Sequence, residues 1–491
     1  MAKIAVIGSG FSGLSAACYL AKAGYSVHLF EKNEQIGGRA RQLITSSGYT
    51  FDMGPSWYWM PDLFEKFFAD FGYKVSDFYE LKLLNPAFDI VFGKNDIMSI
   101  PENYDELCKL FESIEKGSSL KLNKFMEDAK YKYQTGMDKI VYKPGLSITE
   151  FADWKILRGA IRLQLFSSFS KHVRKYFSHP KLIALMEFPV LFLGAMPDET
   201  PALYSLMNYA GLKLGTHYPI GGFGKVVDAM KEIALINNVT FHLNCAIEKI
   251  EVQNNHATKL IFKGGQFDCD AIISSADYHH TESKLLPKEC RNYNDQYWDK
   301  KTFAPSCLIF YIGINKRVNG LNHHTLFFDE DLNQHSQEIY KTPQWPTKPL
   351  FYVCCPSKTD DTVAPDGHEN LFLLMPLAVG LEDTDELREK YFAIMMKRLE
   401  QKTEQDLLPY IDHKQSYCIN DFKLDYNSYN GNAYGLANTL MQTAILKPKI
   451  RNKKIPNLYY TGQLTVPGPG VPPCIISGKI SATQLIKFLE K

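Results

Sequence analysis

The chain has 491 residues, and its 55 Lys and Arg nearly balance its 54 Asp and Glu, for a formal net charge of +1. This balance gives no electrostatic indication of a nucleic-acid partner. A composition of 45% hydrophobic and 22% charged residues is typical of a globular protein with a large core, and the length suits about two to three domains. The longest apolar stretch, residues 182–196, is shorter than the roughly 20 residues needed to cross a bilayer. We therefore expect a cytoplasmic protein with no secretory signal and no membrane-spanning helix.

The first motif is a glycine-rich turn between an apolar strand and a helix. Residues 3–13 read KIAVIGSGFSG. In such a turn Gly8 permits the tight bend, Gly10 lets the backbone approach a pyrophosphate, and Gly13 lets the helix pack closely on the strand. The next apolar strand ends at Glu31, at a spacing that suits a carboxylate accepting from ribose hydroxyls. The order of these elements predicts a dinucleotide site for a ribose without a 2′-phosphate.

The residues after Glu31 favour a flavin over a nicotinamide. Glu31 and Lys32 are followed by Gly37-Gly38-Arg39-Ala40, and this run resembles the EKxxxxGGR segment of flavoproteins that include amine oxidases and carotenoid desaturases. The planar donors of Arg39 suit a pyrophosphate or a flavin edge. Residues 51–55, FDMGP, resemble the DxGP turn beside the isoalloxazine in the same group.

A second half of the same nucleotide site is predicted near the end of the chain. Residues 457–478 read NLYYTGQLTVPGPGVPPCIISG, an apolar strand followed by a Gly/Pro-rich turn and a helix. Within them residues 465–472 resemble the THPGxGxP signature of bacterial and fungal phytoene desaturases, and residues 50–61 resemble the Bacteroidetes-type form. Val466 stands where many relatives have His, so we assign it a packing role. The resemblance covers the whole chain.

The resemblance implies FAD as the cofactor, held by both chain ends. The helix that begins near Pro472 is expected to offer backbone N–H groups and its positive dipole end to the flavin. The residues implicated in binding are Gly8, Gly10, Phe11, Ser12, Gly13, Glu31, Lys32, Gly38, Arg39, Gly54, Pro55, Ser56, Gly462, Gly470, Val471 and Pro472.

The activity that the resemblance implies is carotenoid desaturation. Hydride leaves an allylic carbon for the flavin, a proton leaves the neighbouring carbon, and quinone or oxygen accepts the electrons. Phytoene would be converted by successive desaturations, with isomerisation, to lycopene. A hydrocarbon offers no hydrogen-bonding group, so we expect an apolar, aromatic substrate site. Asp153 is a candidate proton acceptor, although an acid there is also typical of a surface helix start.

Two alternatives stay open at this point. Hydroxycarotenoid 3,4-desaturases, diapophytoene desaturases and related isomerases share the same motifs, so the substrate could be another carotenoid. In a different class, GDP-dissociation inhibitors use a related fold to bind prenylated proteins without flavin. The intact set of glycines, with Glu31 and Arg39, argues against that class.

The alternating patterns predict an α/β fold, with α+β regions, built around a discontinuous Rossmann-type FAD-binding domain. That domain is expected from residues 1–80, 219–285 and 450–491. Residues 286–449 are expected to form a substrate-binding domain with a mixed sheet. Residues 81–218 are expected to form a mainly helical region that contacts substrate and membrane.

A basic amphipathic segment suggests a membrane surface as partner. Residues 155–175 contain six Lys or Arg, no Asp or Glu, and several large apolar side chains. An ordinary surface helix has the same pattern, but a bilayer-soluble carotenoid substrate favours docking on lipid. We expect peripheral association with the inner face of the cell membrane.

Histidine pairs occur at positions 279–280 and 323–324 without companion ligands at metal spacing along the chain. The sequence therefore predicts no metal site.

Overall fold

The structure is a computed structural model that describes residues 1–147, 150, 164, 167–439 and 441–491. Its strands are β1 (Lys3–Ile7), β2 (Ser26–Phe30), β3 (Gln42–Ile44), β4 (Thr50–Asp52), β5 (Leu81–Leu83), β6 (Phe88–Gly93), β7 (Asp96–Ile100), β8 (His217–Pro219), β9 (Thr240–His242), β10 (Ile247–Gln253), β11 (His256–Phe262), β12 (Gly265–Asp268), β13 (Ala271–Ser274), β14 (Ser306–Ile314), β15 (His324–Phe327), β16 (Phe351–Cys354), β17 (Glu369–Leu377), β18 (Ile411–Tyr417) and β19 (Leu458–Tyr460). Its α-helices are α1 (Phe11–Lys22), α2 (Pro61–Asp70), α3 (Tyr104–Ile114), α4 (Ser118–Thr135), α5 (Phe169–Val173), α6 (Pro180–Glu187), α7 (Leu206–Leu212), α8 (Phe223–Ile236), α9 (Tyr278–His280), α10 (Asp295–Asp299), α11 (Leu332–Tyr340), α12 (Asp385–Thr403), α13 (Ile419–Tyr426) and α14 (Val471–Leu489).

A parallel sheet in the order β19-β13-β1-β2-β9 joins distant parts of the chain. Alternate residues of β1 face opposite sides of this sheet. Ile4 and Val6 pack with helices α1, α8 and α14, whereas Ala5 and Ile7 pack with the antiparallel sheet β10-β11-β12. Both faces are therefore covered, which explains why β1 is apolar at successive positions rather than at every second one.

A mixed sheet in the order β18-β14-β17-β16-β15-β6-β7 forms the second layer. Helix α12 packs on one face of it through a separate apolar cluster, while α3 to α7 pack on the other face with the largest core cluster. Within this sheet β6 runs parallel to β15, and the other pairs are antiparallel.

Strands β5, β6 and β7 lie in a part of the chain that the sequence analysis assigned to a mainly helical region. The cause is the burial of β6, whose first four residues, Phe88 to Val91, are all buried. A short apolar run without alternation does not distinguish a buried strand from a buried helix. The pairing of β6 with β15 connects this region to the second sheet.

The predicted α/β class with a discontinuous Rossmann-type unit is confirmed by the first sheet, which takes β1, β13 and β19 from three separate segments. The exact domain boundaries stay predictions. Over the described residues, no helix combines the length and the apolar character needed to cross a bilayer.

Candidate active site

A cavity of about 470 Å³ lies between the first sheet and the second. All but two of the residues singled out from the sequence line it. They are Gly8, Gly10, Phe11, Ser12, Glu31, Lys32, Gly38, Arg39, Gly54, Pro55, Ser56, Gly462, Gly470, Val471 and Pro472. The two exceptions are Gly13, which lies behind the turn, and Asp153, which is outside the described residues.

The glycine turn shows which glycines serve the fold and which serve a ligand. Gly8 has a φ of +94°, a conformation that a side chain disfavours. A Cβ at Gly13 would lie 1.9 Å from the Gly8 carbonyl oxygen, so Gly13 is needed for packing. A Cβ at Gly10 would meet nothing within 4 Å, and Gly10 has an ordinary φ of −66°. The protein itself therefore does not require glycine at position 10, whereas a ligand in the cavity would.

Glu31 is held rigidly at the end of β2. Its Oε2 accepts hydrogen bonds from the Ser9 N–H at 2.9 Å and the Ser9 hydroxyl at 2.6 Å. Its Oε1 accepts from the Asn33 N–H at 2.9 Å and side-chain amide at 3.0 Å. These bonds fix the carboxylate beside the glycine turn, a position that fits the ribose role predicted from the sequence.

Arg39 presents an unused donor to the cavity. Its guanidinium lies over the Tyr426 ring at 4.7 Å and donates to the Asn432 carbonyl at 3.2 Å. The buried Nε has no hydrogen-bond partner among the described residues. A buried donor without a partner costs about 1–3 kcal/mol, and a bound phosphate or flavin oxygen would remove that cost.

The C-terminal turn is organised around one hydroxyl. The Ser477 Oγ accepts from the Gly462 N–H and the Thr461 hydroxyl, both at 3.0 Å, and lies 2.9 Å from the Thr465 hydroxyl. These contacts give a structural role to Thr465, the threonine of the signature at residues 465–472. The sequence alone did not indicate a role for Ser477. Pro472 and Pro473 occupy the first turn of α14. Because proline has no N–H, this helix start would attract a bound ligand through its dipole more than through the backbone N–H groups expected from the sequence.

The cavity continues from the glycine turns into an apolar, aromatic chamber along the second sheet. Its wall there comes from residues far apart in the sequence, among them Trp57, Trp59, Phe188, Phe328, Leu332 and Ile339. The predicted apolar and aromatic character of the substrate site is thus present in the same cavity as the glycine turns.

A polar chain of side chains lies behind this aromatic wall. Tyr352, which lines the cavity, donates its hydroxyl hydrogen to the Ser56 Oγ at 3.1 Å, and its oxygen lies 2.6 Å from the His324 Nδ1. Trp57 stacks on His324, with the ring centroids 4.2 Å apart. His323, His324 and Cys354 offer ligand atoms that all lie within 4.8 Å of one another. Cys354 could not be predicted from spacing as a companion ligand, because it lies on a neighbouring strand that is distant along the chain.

Burial shifts the pKa values of ionisable groups around the cavity. Burial raises the pKa of Asp52 to about 6, although it accepts hydrogen bonds from the Phe223 and Gly224 N–H groups. Burial also raises the pKa of Asp277, against the opposing charge of Arg39. Burial therefore disfavours the charged form of Asp277, the carboxyl of the two that interacts with the charge of Arg39.

One buried cation lies beside the C-terminal turn. Lys447 has no hydrogen-bond partner for its Nζ among the described residues. Its Cε would lie 3.4 Å from a Cβ built at Gly468. Burial lowers the pKa of Lys447 to about 7.

Most of the amphipathic segment at residues 155–175 lies outside the described residues, which within it are 164 and 167–175. In that part Phe169 and Val173 are fully buried, whereas Lys171 and Lys175 are exposed. Arg174 pairs with Glu187. The apolar side chains of α5 therefore pack inward, whereas Lys171 in the helix and Lys175 after it face outward.

The family profile described as "Flavin containing amine oxidoreductase" matches residues 11–486. The chain belongs to this family. It is 42% identical over 485 residues to a carotenoid 3,4-desaturase of Haloarcula japonica, covering 99% of the chain and 98% of the relative. It is 28% identical over 498 residues to a 4,4'-diapophytoene desaturase (4,4'-diaponeurosporene-forming) of Staphylococcus haemolyticus, covering 99% of each. The predicted membership of the amine oxidase and carotenoid desaturase superfamily is confirmed.

Solved structures with low sequence identity share the fold. Cyclohexylamine oxidase from Brevibacterium oxydans aligns over 100% of both chains with a TM-score of 0.60 and 13% identity. An oxidoreductase from Methanosarcina mazei aligns over 100% of both with a TM-score of 0.62 and 17% identity.

The cofactor of this flavoprotein family member is FAD, as predicted. The residues of the cavity fit it: Gly10 leaves open space where a pyrophosphate would approach, and Arg39 offers an unpartnered buried donor. The flavin-free binding module considered from the sequence is not supported.

Proposed function

We propose that the chain is an FAD-dependent desaturase that introduces a 3,4 double bond near the end of a long carotenoid. The relative at 42% identity, a carotenoid 3,4-desaturase, matches nearly the full length of the chain and supports this regiochemistry. The similarity to the diapophytoene desaturase is weaker, at 28%.

The observation that carries the proposal is the continuity of the cavity. One cavity joins the glycine turns to the chamber walled by Trp57, Trp59 and Phe188. An elongated apolar molecule in that chamber can reach the cofactor end without leaving the protein. Polar substrates, such as amines, would find few hydrogen-bonding partners on this aromatic wall.

FAD supplies the hydride acceptor when it is bound. The chain itself supplies binding, orientation and a dry site. The N-terminus of α1 at Gly10 and the guanidinium of Arg39 attract negative charge. The bond from Tyr352 to Ser56 holds the aromatic wall against the turn at residues 51–55, and the wall keeps water from the reacting carbons.

Conversion of phytoene to lycopene is the second candidate. The motif matches at residues 50–61 and 465–472 favour it. The two candidates differ in substrate and not in cofactor chemistry, so one assay can separate them.

The experiment compares substrates on the purified, FAD-loaded chain in liposomes. Phytoene, lycopene and a hydroxylated acyclic carotenoid are supplied separately, and products are resolved by chromatography with absorption spectra. Our proposal expects a longer conjugated system from lycopene or its hydroxylated form, and no product from phytoene. Lycopene formed from phytoene would instead support the second candidate.

Three further proposals attach to this function. Asp153, outside the described residues, remains the proposed proton acceptor, and Asp153→Asn should lower turnover with FAD content unchanged.

Quinone or oxygen is the proposed electron acceptor, which anaerobic assays with and without added quinone would distinguish. Peripheral binding to the inner face of the cell membrane is proposed from the exposed charges of Lys171 and Lys175.

A further inference from the structure

We propose that His323, His324 and Cys354 bind one transition-metal ion of the zinc class. The three side chains are 4%, 0% and 2% exposed, respectively. One ring nitrogen from each histidine and the Cys354 sulfur lie within 4.8 Å of one another. Imidazole nitrogen and thiolate sulfur are the ligands that zinc prefers, at about 2.0 to 2.3 Å, so the group needs a small contraction to close on an ion.

The strand register brings these residues together. His324 on β15 pairs directly with Cys354 on the antiparallel strand β16. Directly opposed residues of an antiparallel pair place their side chains on the same face of the sheet. His323 precedes β15, and the two imidazole rings lie with their centroids 4.4 Å apart.

Each histidine ring makes a polar contact through its Nδ1 atom. The His323 Nδ1 lies 2.8 Å from the Thr359 hydroxyl, and the His324 Nδ1 lies 2.6 Å from the Tyr352 oxygen. Which atom of each contact holds the hydrogen depends on the ring tautomer. In the tautomer with the hydrogen on Nδ1, the His324 ring donates to the Tyr352 oxygen, the Tyr352 hydroxyl donates to Ser56, and the Nε2 of His324 is a bare acceptor.

Both Nε2 atoms are buried and have no partner among the described residues. Metal-bound histidines characteristically bind through one nitrogen while the other donates to an outer oxygen. In the tautomers with the hydrogen on Nδ1, His323 and His324 have this arrangement, with Thr359 and Tyr352 as the outer oxygens. In those tautomers both Nε2 lone pairs are unsatisfied without an ion, a cost of about 1–3 kcal/mol each.

The chemistry of the three ligands selects the ion. No carboxylate belongs to the described ligand group, which disfavours Mg²⁺ and Ca²⁺. Thiolate and imidazole favour Zn²⁺ or copper. A buried water is the competing occupant, since it could bridge the two Nε2 atoms without using the sulfur. The ion would tie β15 to β16 behind Trp57 and Tyr352, which line the cavity.

The test measures metal in the FAD-loaded full chain after removal of any histidine tag. The protein is equilibrated with an equimolar amount of Zn²⁺, desalted and analysed by elemental mass spectrometry. We expect close to one zinc per chain. Replacement of Zn²⁺ by Co²⁺ should add a sulfur-to-cobalt charge-transfer band and visible ligand-field bands beyond the flavin absorption.

Variants locate the ion. Cys354→Ser and His324→Asn should lose the bound zinc, and Thr359→Val should weaken zinc binding about 10- to 100-fold. The matched control is Cys355→Ser, because Cys355 is equally buried but its sulfur contacts Ser357 and Glu369 instead.

Three outcomes would overturn the proposal. They are a parent protein that retains no zinc, a cobalt spectrum without the sulfur band, and equal zinc retention in Cys354→Ser and Cys355→Ser. The cobalt spectrum is recorded on the parent protein, so it tests sulfur ligation of the ion even if Cys354→Ser does not fold. Because the measurement reads metal rather than turnover, it is independent of which carotenoid is the substrate.

Discussion

Gly10 and Gly13 are three residues apart and belong to the same motif, but the structure gives them different roles. A side chain at Gly10 would enter the cavity, whereas one at Gly13 would collide with the turn itself. We predict that Gly10→Val folds normally and loses FAD, because the new side chain occupies the space of the pyrophosphate. The measurements are the flavin-to-protein ratio and the urea midpoint of the apoprotein.

Gly13→Ala is the contrasting variant. We expect a clear loss of apoprotein stability, on the order of 1–3 kcal/mol for an overpacked site. Equal destabilisation of the two apoproteins would contradict the assignment of Gly10 to ligand binding.

Lys447 predicts a pH dependence of stability. Its pKa falls from 10.5 in a model peptide to about 7 in the fold, with burial as the main cause. Between pH 7 and pH 10.5 the unfolded chain binds a proton at Lys447 that the folded chain does not. The contribution of Lys447 to the free energy of unfolding therefore rises with pH in this range. Below pH 7 the full penalty of the buried charge is present. Lys447→Met should therefore stabilise the protein most at pH 6 to 7, on the order of several kcal/mol.

The control for this prediction is Lys300→Met, since Lys300 is exposed. Urea unfolding of parent and variants from pH 6 to pH 10 gives the comparison. A constant difference between parent and Lys447→Met across this range would show that Lys447 does not titrate as described.

At the residue scale the sequence could predict the cofactor contacts because their chemistry depends on local spacing. Glu31 follows the glycines at a fixed distance, and one short βαβ unit sets that geometry. Ser477 and Lys447 were not predictable, since each becomes significant only through neighbours that folding brings near.

At the scale of elements, the packing of α1 against α14 holds the two halves of the cofactor site together. Gly478 in α14 lies so close to α1 that a Cβ there would be 2.4 Å from the Ser12 carbonyl oxygen. We predict that Gly478→Ala separates the helices, lowering stability by about 1–3 kcal/mol and weakening FAD binding as well. Thermal unfolding and FAD titration of the apoprotein measure the two effects.

Thr483→Ala on the exposed face of α14 is the matched control and should bind FAD like the parent. If Gly478→Ala unfolds earlier but keeps the FAD affinity of the parent, then the helix contact is structural only.

The elements with clear periodicity were predictable, and those buried on all sides were not. The apolar pattern at residues 385–408 is that of a long helix, and the structure forms α12 (Asp385–Thr403) there. Strand β6 gave no such pattern, because it is buried in the second sheet. The pairing of His324 with Cys354 was likewise beyond sequence reasoning, since strand register depends on the assembled sheet.

At the scale of the whole molecule, the proposed membrane contact can be tested with the charges that the structure leaves free. Arg174 pairs with the buried Glu187, so replacing it would leave a carboxylate unpaired. Lys171 and Lys175 are exposed. The double variant Lys171→Gln, Lys175→Gln should bind anionic liposomes more weakly, with a binding free energy reduced by about 1 kcal/mol for each lost charge. Co-sedimentation with the liposomes measures this loss.

The control is the double variant Lys263→Gln, Lys300→Gln. Both lysines are exposed; Lys263 lies in the turn between β11 and β12, and Lys300 follows α10. FAD content should stay at the parental level in both double variants. Equal sedimentation of all three proteins at low salt would place any membrane contact elsewhere.

The order of strands in the first sheet also has a consequence for biosynthesis. Strand β1 ends at Ile7 and its sheet is completed by β19, which begins at Leu458, 451 residues later (458 − 7). At translation rates of about 5–20 residues per second, this interval is on the order of 20 to 90 s. Throughout that time the nascent glycine turn lacks the strand and helix that complete its nucleotide site. The second sheet can begin to fold on the ribosome, but FAD capture must wait until almost the whole chain has been made.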